Sequence, residues 1–540
     1  MTNYHVPKPN NEPVLSYLFG SPELNTLQST LEEMKSQTIE VPLRIGDKKI
    51  MTDDKGVMVM PHNHAHVLGH YAKATTEHLD MAINAAKEAK DSWESLPSND
   101  RASVFLKAAE LLATTYRPII NAATMLGQSK NVLQAEIDSA CELIDFFRFN
   151  AYFAQQIVEI QPDSAKGIWN QLDYRPLEGF VLAVTPFNFT SIAGNLPSAP
   201  ALMGNTVLWK PASSSVFSGH YLMDLFEAAG LPPGVINFIP GKGSSVGNHL
   251  LPHPDLAGIH FTGSTKVFRH MWTTVGQNIA SYKSYPRIVG ETGGKDFIFA
   301  HASADIDELV TAAIRGSFEY AGQKCSASSR MYVPKSIWPE VKMKMLEELA
   351  KVKMGDPTNL DTFVNAVIDR NAFESIARFI SYTDESADAE IIHGGKVDDS
   401  VGYFIEPTII VTTDPHYKTM EEEIFGPVLS IFPYENDKFD ETLQLCDSTS
   451  PYALTGAVFA KDRNAIAKVS KALRQAAGNF YINDKPTGAL VNQQPFGGAR
   501  ASGTNDKAGS ILNLIRWTSP RTIKENFNPP TEWSYPYMQE

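Results

Sequence analysis

Phe180-Val181-Leu182-Ala183-Val184 runs directly into Thr185-Pro186-Phe187-Asn188-Phe189. A short apolar run closed by a proline-containing loop reads as a strand with a polar residue just past its end. Similar runs follow at residues 206–209, 235–239 and 259–261, with helical windows between them. That rhythm is the βαβ pattern of a parallel sheet. It resumes beyond Glu291 at residues 297–299, 331–333, 428–431 and 457–459. Two α/β domains meeting near Glu291 are therefore expected. Upstream, residues 79–160 read as helices, with Ser98-Asn99-Asp100 as cap residues before Arg101 and an amphipathic run at 132–147. Residues 165–178 and the tail after about 515 fit neither domain. The tail, with Trp533-Ser534-Tyr535-Pro536-Tyr537, is either a surface tail on its own domain or an aromatic arm packed on a second subunit.

A chain of 540 residues exceeds a single core, which also argues for at least two domains. The net charge of −14 argues against nucleic acid or an anionic membrane as the main partner. The cysteines, Cys141, Cys325 and Cys446, make no disulfide framework and have no metal-site spacing, so no metal is expected. Cys141 and Cys446 read as packing residues. A reducing compartment follows: the cytoplasm, or the mitochondrial matrix for a trimmed mature form. The N-terminus has no secretory apolar region, and its first arginine is Arg44. No apolar run reaches the ~18 residues that span a bilayer.

Gly322-Gln323-Lys324-Cys325-Ser326-Ala327 sets a thiol between a lysine and a serine, downstream of Glu291-Thr292-Gly293-Gly294-Lys295. A lone thiol with a separate carboxylate base suits covalent chemistry on a carbonyl carbon. Cys325 would attack an aldehyde, Asn188 and the Cys325 N–H would hold the alkoxide, and each such donor is usually worth ~2.7–4 kcal/mol. Release of hydride needs a nicotinamide acceptor, and Glu291 would activate water to hydrolyse the thioester. Gly241-Lys242-Gly243 and Phe261-Thr262-Gly263-Ser264 each follow a strand and could present N–H groups to phosphate at a helix N-terminus. Trp209-Lys210-Pro211 puts a cation where ribose or phosphate could lie. Taken singly, each residue is better read blandly, as packing, turn, cap or surface. Their joint occurrence in this order favours the chemistry.

These segments, with Glu423-Ile424-Phe425-Gly426-Pro427, resemble the aldehyde dehydrogenase superfamily across nearly the whole chain. The resemblance implies an α/β aldehyde dehydrogenase fold. A Rossmann-like NAD-binding domain would occupy 1–164 and 179–291, and an α/β catalytic domain 292–500. A β oligomerisation flap and C-terminal arm would be built from 165–178 and 515–540, giving a homodimer or a higher homo-oligomer. Residues 318–327 (Phe-Glu-Tyr-Ala-Gly-Gln-Lys-Cys-Ser-Ala) and 494–506 (Gln-Pro-Phe-Gly-Gly-Ala-Arg-Ala-Ser-Gly-Thr-Asn-Asp) are most similar to the Δ1-pyrroline-5-carboxylate dehydrogenase family, as are Ala135-Glu136-Ile137-Asp138 and the stretch ending at Asn150.

That resemblance implies NAD-dependent oxidation of L-glutamate γ-semialdehyde, with Cys325 as nucleophile, Glu291 as base and Asn188 as oxyanion donor. Lys210, Ser213, Gly263, Ser264, Glu423 and Phe425 would line the cofactor. Lys324, Ser326 and the Gly488-Ala489 backbone would hold the substrate α-carboxylate, Phe189 and Phe496 would sandwich its chain, and Glu142 would meet its ammonium. Three positions depart from related chains: Thr292 stands for leucine, Phe268 for glycine and Ala489 for serine. Ser213 stands where NAD-preferring relatives often carry an acidic residue, so NAD with measurable NADP use is expected. The rival readings are a dehydrogenase for another small acidic semialdehyde and a non-catalytic binding protein of the same fold.

Overall fold

A computed structural model of the chain describes residues 5–539; residues 1–4 and 540, the outer ends of the expected cofactor segment and C-terminal arm, lie outside it. Two seven-stranded sheets organise it. In the first, five parallel strands run in the order Arg287–Glu291, Leu256–Thr262, Phe180–Val184, Thr206–Lys210 and Ile236–Phe238. The antiparallel hairpin of Leu43–Ile45 and Lys48–Ile50 completes the edge. Thr206–Lys210 and Leu256–Thr262 are buried throughout. Helices on both faces account for that burial and for the continuous apolar runs in the sequence.

The chain leaves Phe180–Val184 toward one side of the sheet and returns to pair on its other side with Leu256–Thr262. Strand order therefore reverses between these two strands, and a crevice opens beyond their C-terminal ends. The loops leaving that crevice edge carry Asn188 and Gly263-Ser264.

The second sheet runs Ala389–His393, Thr408–Thr412, Val428–Tyr434, Ser328–Pro334, Asp296–Ala300, Thr455–Phe459 and Asn479–Ile482, parallel except for the first. Glu291 ends a strand of the first sheet, and Asp296 begins one of the second. A cleft thus lies between the C-terminal edge of one sheet and the N-terminal edge of the other.

The helical stretch holds, with two differences from the sequence reading. Ser98, Asn99 and Asp100 form the first turn of Ser98–Ala113 instead of capping it, because Pro97 takes the cap position and its carbonyl accepts from Asp100 and Arg101. The run from Val132 to Glu159 is interrupted by a π-helical turn at Glu136–Cys141. That turn faces Glu136 toward Arg117, Tyr17 and Asn121 and buries Asp138. Phe268 stacks on Phe261 at 5.4 Å and fills the space over Gly290.

The two segments that fitted neither sheet pair with each other. Ile168–Arg175 and Ser519–Asn526 form an eight-residue antiparallel ribbon. Trp169 and Phe527 are exposed on it, and Trp533 and Tyr537 are exposed beyond it. No helix among the described residues is long and apolar enough to cross a membrane.

Candidate active site

The nucleophile loop is strained where it presents Cys325. Tyr320, Ala321 and Gly322 lie in succession at φ 51°, 50° and 67°. A left-handed conformation costs a non-glycine residue about 1–2 kcal/mol, so neighbours must hold it. The Tyr320 hydroxyl donates to the Gln128 carbonyl at 2.9 Å. At Gly322 only glycine fits, since a Cβ would fall 2.2 Å from the Gly426 carbonyl oxygen. The chain then turns into the strand Ser328–Pro334 with the Cys325 thiol buried at the cleft.

The Cys325 thiol donates to Glu291 Oε1 at 3.0 Å. Burial pushes the thiol well above its ordinary range, and the nearby Glu291 carboxylate pushes it further. Burial also lifts Glu291 to about 7, against the thiol hydrogen bond and the Lys507 ammonium. A carboxylate poised near neutrality beside a protonated thiol is suited to take protons in turn from the thiol and from water. The Asn188 amide donates one N–H to the Gln323 carbonyl at 3.0 Å, which fixes its plane and leaves a second N–H for an oxyanion.

A cavity of about 780 Å³ runs from Cys325 along the crevice of the first sheet. It brings together Asn188, Lys210, Gly263, Ser264, Glu423, Phe425 and Cys325. Ser213 does not line it; it is exposed in a short 3₁₀ turn, and Ala212 takes the lining position. Burial lowers the Lys210 ammonium to about 8. It lies 4.0 Å from where a Cβ on Gly243 would stand, at the start of the helix Gly243–Leu250. Ser264 caps the helix Thr265–Gln277. Glu423 accepts from the Gly294 N–H at 3.0 Å, and a Cβ on Gly293 would fall 2.0 Å from its Oε1, so glycine is needed to seat it. Burial raises Glu423 to about 7. Among the described residues the Lys210 cation has no acid partner, which would be odd in an apolar crevice; facing the phosphates or ribose of a dinucleotide, with two helix N-termini nearby, it fits.

The substrate residues expected from the sequence fall into two groups. Phe189, Phe496, Gly488 and Ala489 are partly or fully exposed. No hydrogen bond among the described residues uses the N–H of Gly488 or Ala489. Lys324 and Ser326 are buried and Glu142 is half-buried, and all three are already partnered. Ser326 donates to the Thr487 hydroxyl at 2.9 Å, and Glu142 accepts from Ser191 at 2.5 Å. Burial raises Glu142 to about 8. Lys324 lies 3.4 Å from Asp138 and 3.7 Å from Glu319, which outweigh burial and hold it above its ordinary value.

Sequence reasoning did not assign roles to Lys130, Asp138, Glu319, Lys485 or Thr487. Asp138 and Glu319 stood inside stretches that carried the family resemblance. Lys130 had no signal beyond its identity: it is wholly buried, pairs with Asp138 at 2.6 Å, and lies 4.4 Å from the ring centres of both Phe189 and Tyr320.

Residues 50–523 match the aldehyde dehydrogenase family model. The chain belongs to the aldehyde dehydrogenase family. It is 54% identical over 537 residues to a mitochondrial Δ1-pyrroline-5-carboxylate dehydrogenase of Dictyostelium discoideum, covering 99% of this chain and 96% of that one. A Homo sapiens protein of the same name is 50% identical over 530 residues, covering 98% and 94%. Among solved structures, the Δ-pyrroline-5-carboxylate dehydrogenase of Mycobacterium tuberculosis bound with NAD superposes with a TM-score of 0.96 at 52% identity, over 100% of both chains. The fold expected from the sequence is the fold found.

Proposed function

We propose that this chain oxidises L-glutamate γ-semialdehyde, the open form of Δ1-pyrroline-5-carboxylate, to L-glutamate with NAD, as in the second step of proline degradation. The observation that carries the reading is the Cys325 thiol, 3.0 Å from a Glu291 carboxylate poised near neutrality, at the end of a dinucleotide-sized crevice. Half-identical relatives named for this activity support the substrate.

In the reaction, Glu291 accepts the thiol proton as Cys325 Sγ bonds to the aldehyde carbon. The resulting alkoxide is held by the free Asn188 N–H and the Cys325 backbone N–H, a preorganised pair that needs no rearrangement as charge develops. NAD, when bound, supplies the hydride acceptor. Lys210 and Glu423 would hold its ribose and phosphate side, and Phe425 and the Gly263-Ser264 turn would shape the crevice around it. Glu291 gives up the thiol proton to solvent and then deprotonates a water that attacks the thioester. The C–S bond breaks, Cys325 leaves as thiolate and is reprotonated, and the water oxygen becomes one of the two oxygens of the new glutamate γ-carboxylate. The Gly488-Ala489 N–H groups receive the α-carboxylate, Phe189 and Phe496 flank the aliphatic chain, and Lys324, Ser326 and Glu142 shape that end from beneath.

The NAD preference is expected to be incomplete, because no carboxylate stands at Ser213 to repel a 2′-phosphate. Comparing kcat/KM for NAD and NADP checks this, and a preference above about a thousandfold either way would reject it. We also assign 1–164 and 179–291 to cofactor binding, 292–500 to catalysis, and the ribbon with the C-terminal arm to dimerisation. The exposed Trp169, Phe527 and Trp533 support the last assignment, and sedimentation of a chain cut before Ser519 tests it. The three free thiols suit a reducing compartment, cytoplasm or mitochondrial matrix.

NADH formation with L-glutamate γ-semialdehyde and with succinate semialdehyde decides the substrate. Faster turnover of succinate semialdehyde would reject the proposal. Activity that survives Cys325→Ala would reject the mechanism.

A further inference from the structure

Behind the nucleophile, charged side chains form an alternating chain. Lys130 pairs with Asp138 at 2.6 Å, Asp138 with Lys324 at 3.4 Å, Lys324 with Glu319 at 3.7 Å, and Glu319 with Lys485 at 2.7 Å. Arg315, half exposed, also donates to Glu319, at 3.0 Å. The π-helical turn supplies Asp138, the strained nucleophile loop supplies Glu319 and Lys324, and the loop after the strand Asn479–Ile482 supplies Lys485.

The chain is not balanced. Even without Arg315, three lysines face two carboxylates, and the inner members are almost fully buried. Glu142, the remaining acid nearby, is bound to Ser191, and burial raises it to about 8, so it adds little negative charge at neutral pH. Excess positive charge in a poorly solvated site is costly unless an anion completes it. The one lysine that reaches solvent is Lys485, whose side chain is 20% exposed. Its ammonium lies 3.8 Å from where a Cβ on Gly488 would stand, beside the unused N–H groups of the Gly488-Ala489 turn. Gly488 itself lies at φ 95°, a conformation that favours glycine.

We propose that Lys485, held by Glu319, is the cation that reads the substrate α-carboxylate at the Gly488-Ala489 turn, and that the anion completes the charge of the buried ladder. This rests on the semialdehyde reading above, and it assigns specificity to a residue outside the nucleophile loop. Glu319 keeps Arg315 and Lys324 when Lys485 is removed, so the site is expected to survive the substitution.

The test is competitive inhibition by L-glutamate against its α-amide, isoglutamine, which lacks the α-carboxylate charge. The wild-type enzyme should prefer glutamate by roughly tenfold to a hundredfold, as for a charge-assisted hydrogen bond. Lys485→Met should remove most of that preference, Lys485→Gln should do the same, and Lys485→Arg should restore it. NADH titration reports whether each variant is folded. A Lys485→Met enzyme that keeps the preference overturns the proposal. So does a wild-type enzyme that binds the two inhibitors equally, and that measurement needs no variant. Failure to oxidise the semialdehyde at all would instead reject the activity on which the proposal rests.

Discussion

Hydrolysis of the acyl-enzyme should speed up about tenfold between pH 6 and pH 8, with a midpoint near 7, because Glu291 must be ionised to deprotonate water. The magnitude follows from where the carboxyl sits. Burial lifts it from 4.5 to about 7, although the Cys325 thiol donates to it and the Lys507 ammonium pulls it down. That rise amounts to about 3.4 kcal/mol of penalty on the charged form. The same shift has a stability consequence of definite sign. A carboxyl whose folded value is raised contributes stability below 4.5 that is lost as the pH climbs through 7. Glu291→Gln should therefore gain on the wild type by about 2.5 kcal/mol between pH 5 and pH 8, while any packing cost of the amide stays constant with pH. In the assay, the acyl-enzyme is formed with limiting aldehyde and NAD, then jumped to each pH and its decay followed. Glu291→Gln should slow the decay by about 10²–10⁴ and flatten its profile. A wild-type profile already flat from pH 6 to pH 8 would refute the burial argument. A Glu291→Gln enzyme with the same midpoint would show that another group is the base.

Lys507→Met removes the charge that opposes burial at Glu291, so the midpoint of the same profile should move upward; an unmoved midpoint would show that the charge is screened. Gly293→Ala puts a Cβ 2.0 Å from Glu423 Oε1, which must push the carboxylate off its seat on the Gly294 N–H. The KM for NAD should rise while the acylation chemistry of bound cofactor changes less, and overpacking should cost about 1–3 kcal/mol of stability by thermal unfolding. Asn188→Ala deletes an oxyanion donor and should lower kcat by about 10²–10³ with little change in KM; an equal loss in KM would place Asn188 in ground-state binding.

The parallel strands were legible because both their faces are buried, so each appears as an uninterrupted apolar run; residues 180–184 match the strand Phe180–Val184 to the residue. Most other strand ends were short by one to three residues, as at Leu256–Thr262, because Leu256, Ala257 and Gly258 carry no strong strand signal, whereas the run 235–239 overshoots the strand Ile236–Phe238 by one residue at each end. The proposed catalytic trio, Cys325, Glu291 and Asn188, was picked out for a different reason. Its chemistry requires particular residue types, and each stands beside a turn whose glycine or proline marks the end of an element. The π-helical turn at Glu136–Cys141 was not legible. Its cause is a set of partners more than 100 residues away in sequence, Tyr17 and Glu12 on the N-terminal segment, together with Arg117 on the preceding helix.

The charged ladder was hidden in the same way, and the reason bears on how the site discriminates. The ladder draws on three stretches far apart in the chain, with Lys130 and Asp138 on one, Glu319 and Lys324 on another and Lys485 on the third, and each residue alone reads as a solvated charge. Only the fold places them in one file behind Cys325. A buried file of charges is weak evidence for stability, since removing water from each group offsets much of what pairing returns. Its excess of lysines instead sets a standing demand for an anion near the Gly488-Ala489 turn. In the proposed reaction that demand separates the site's two tasks: Cys325, Glu291 and Asn188 would act on any aldehyde carbon, while the ladder would favour an aldehyde that carries a carboxylate at its other end.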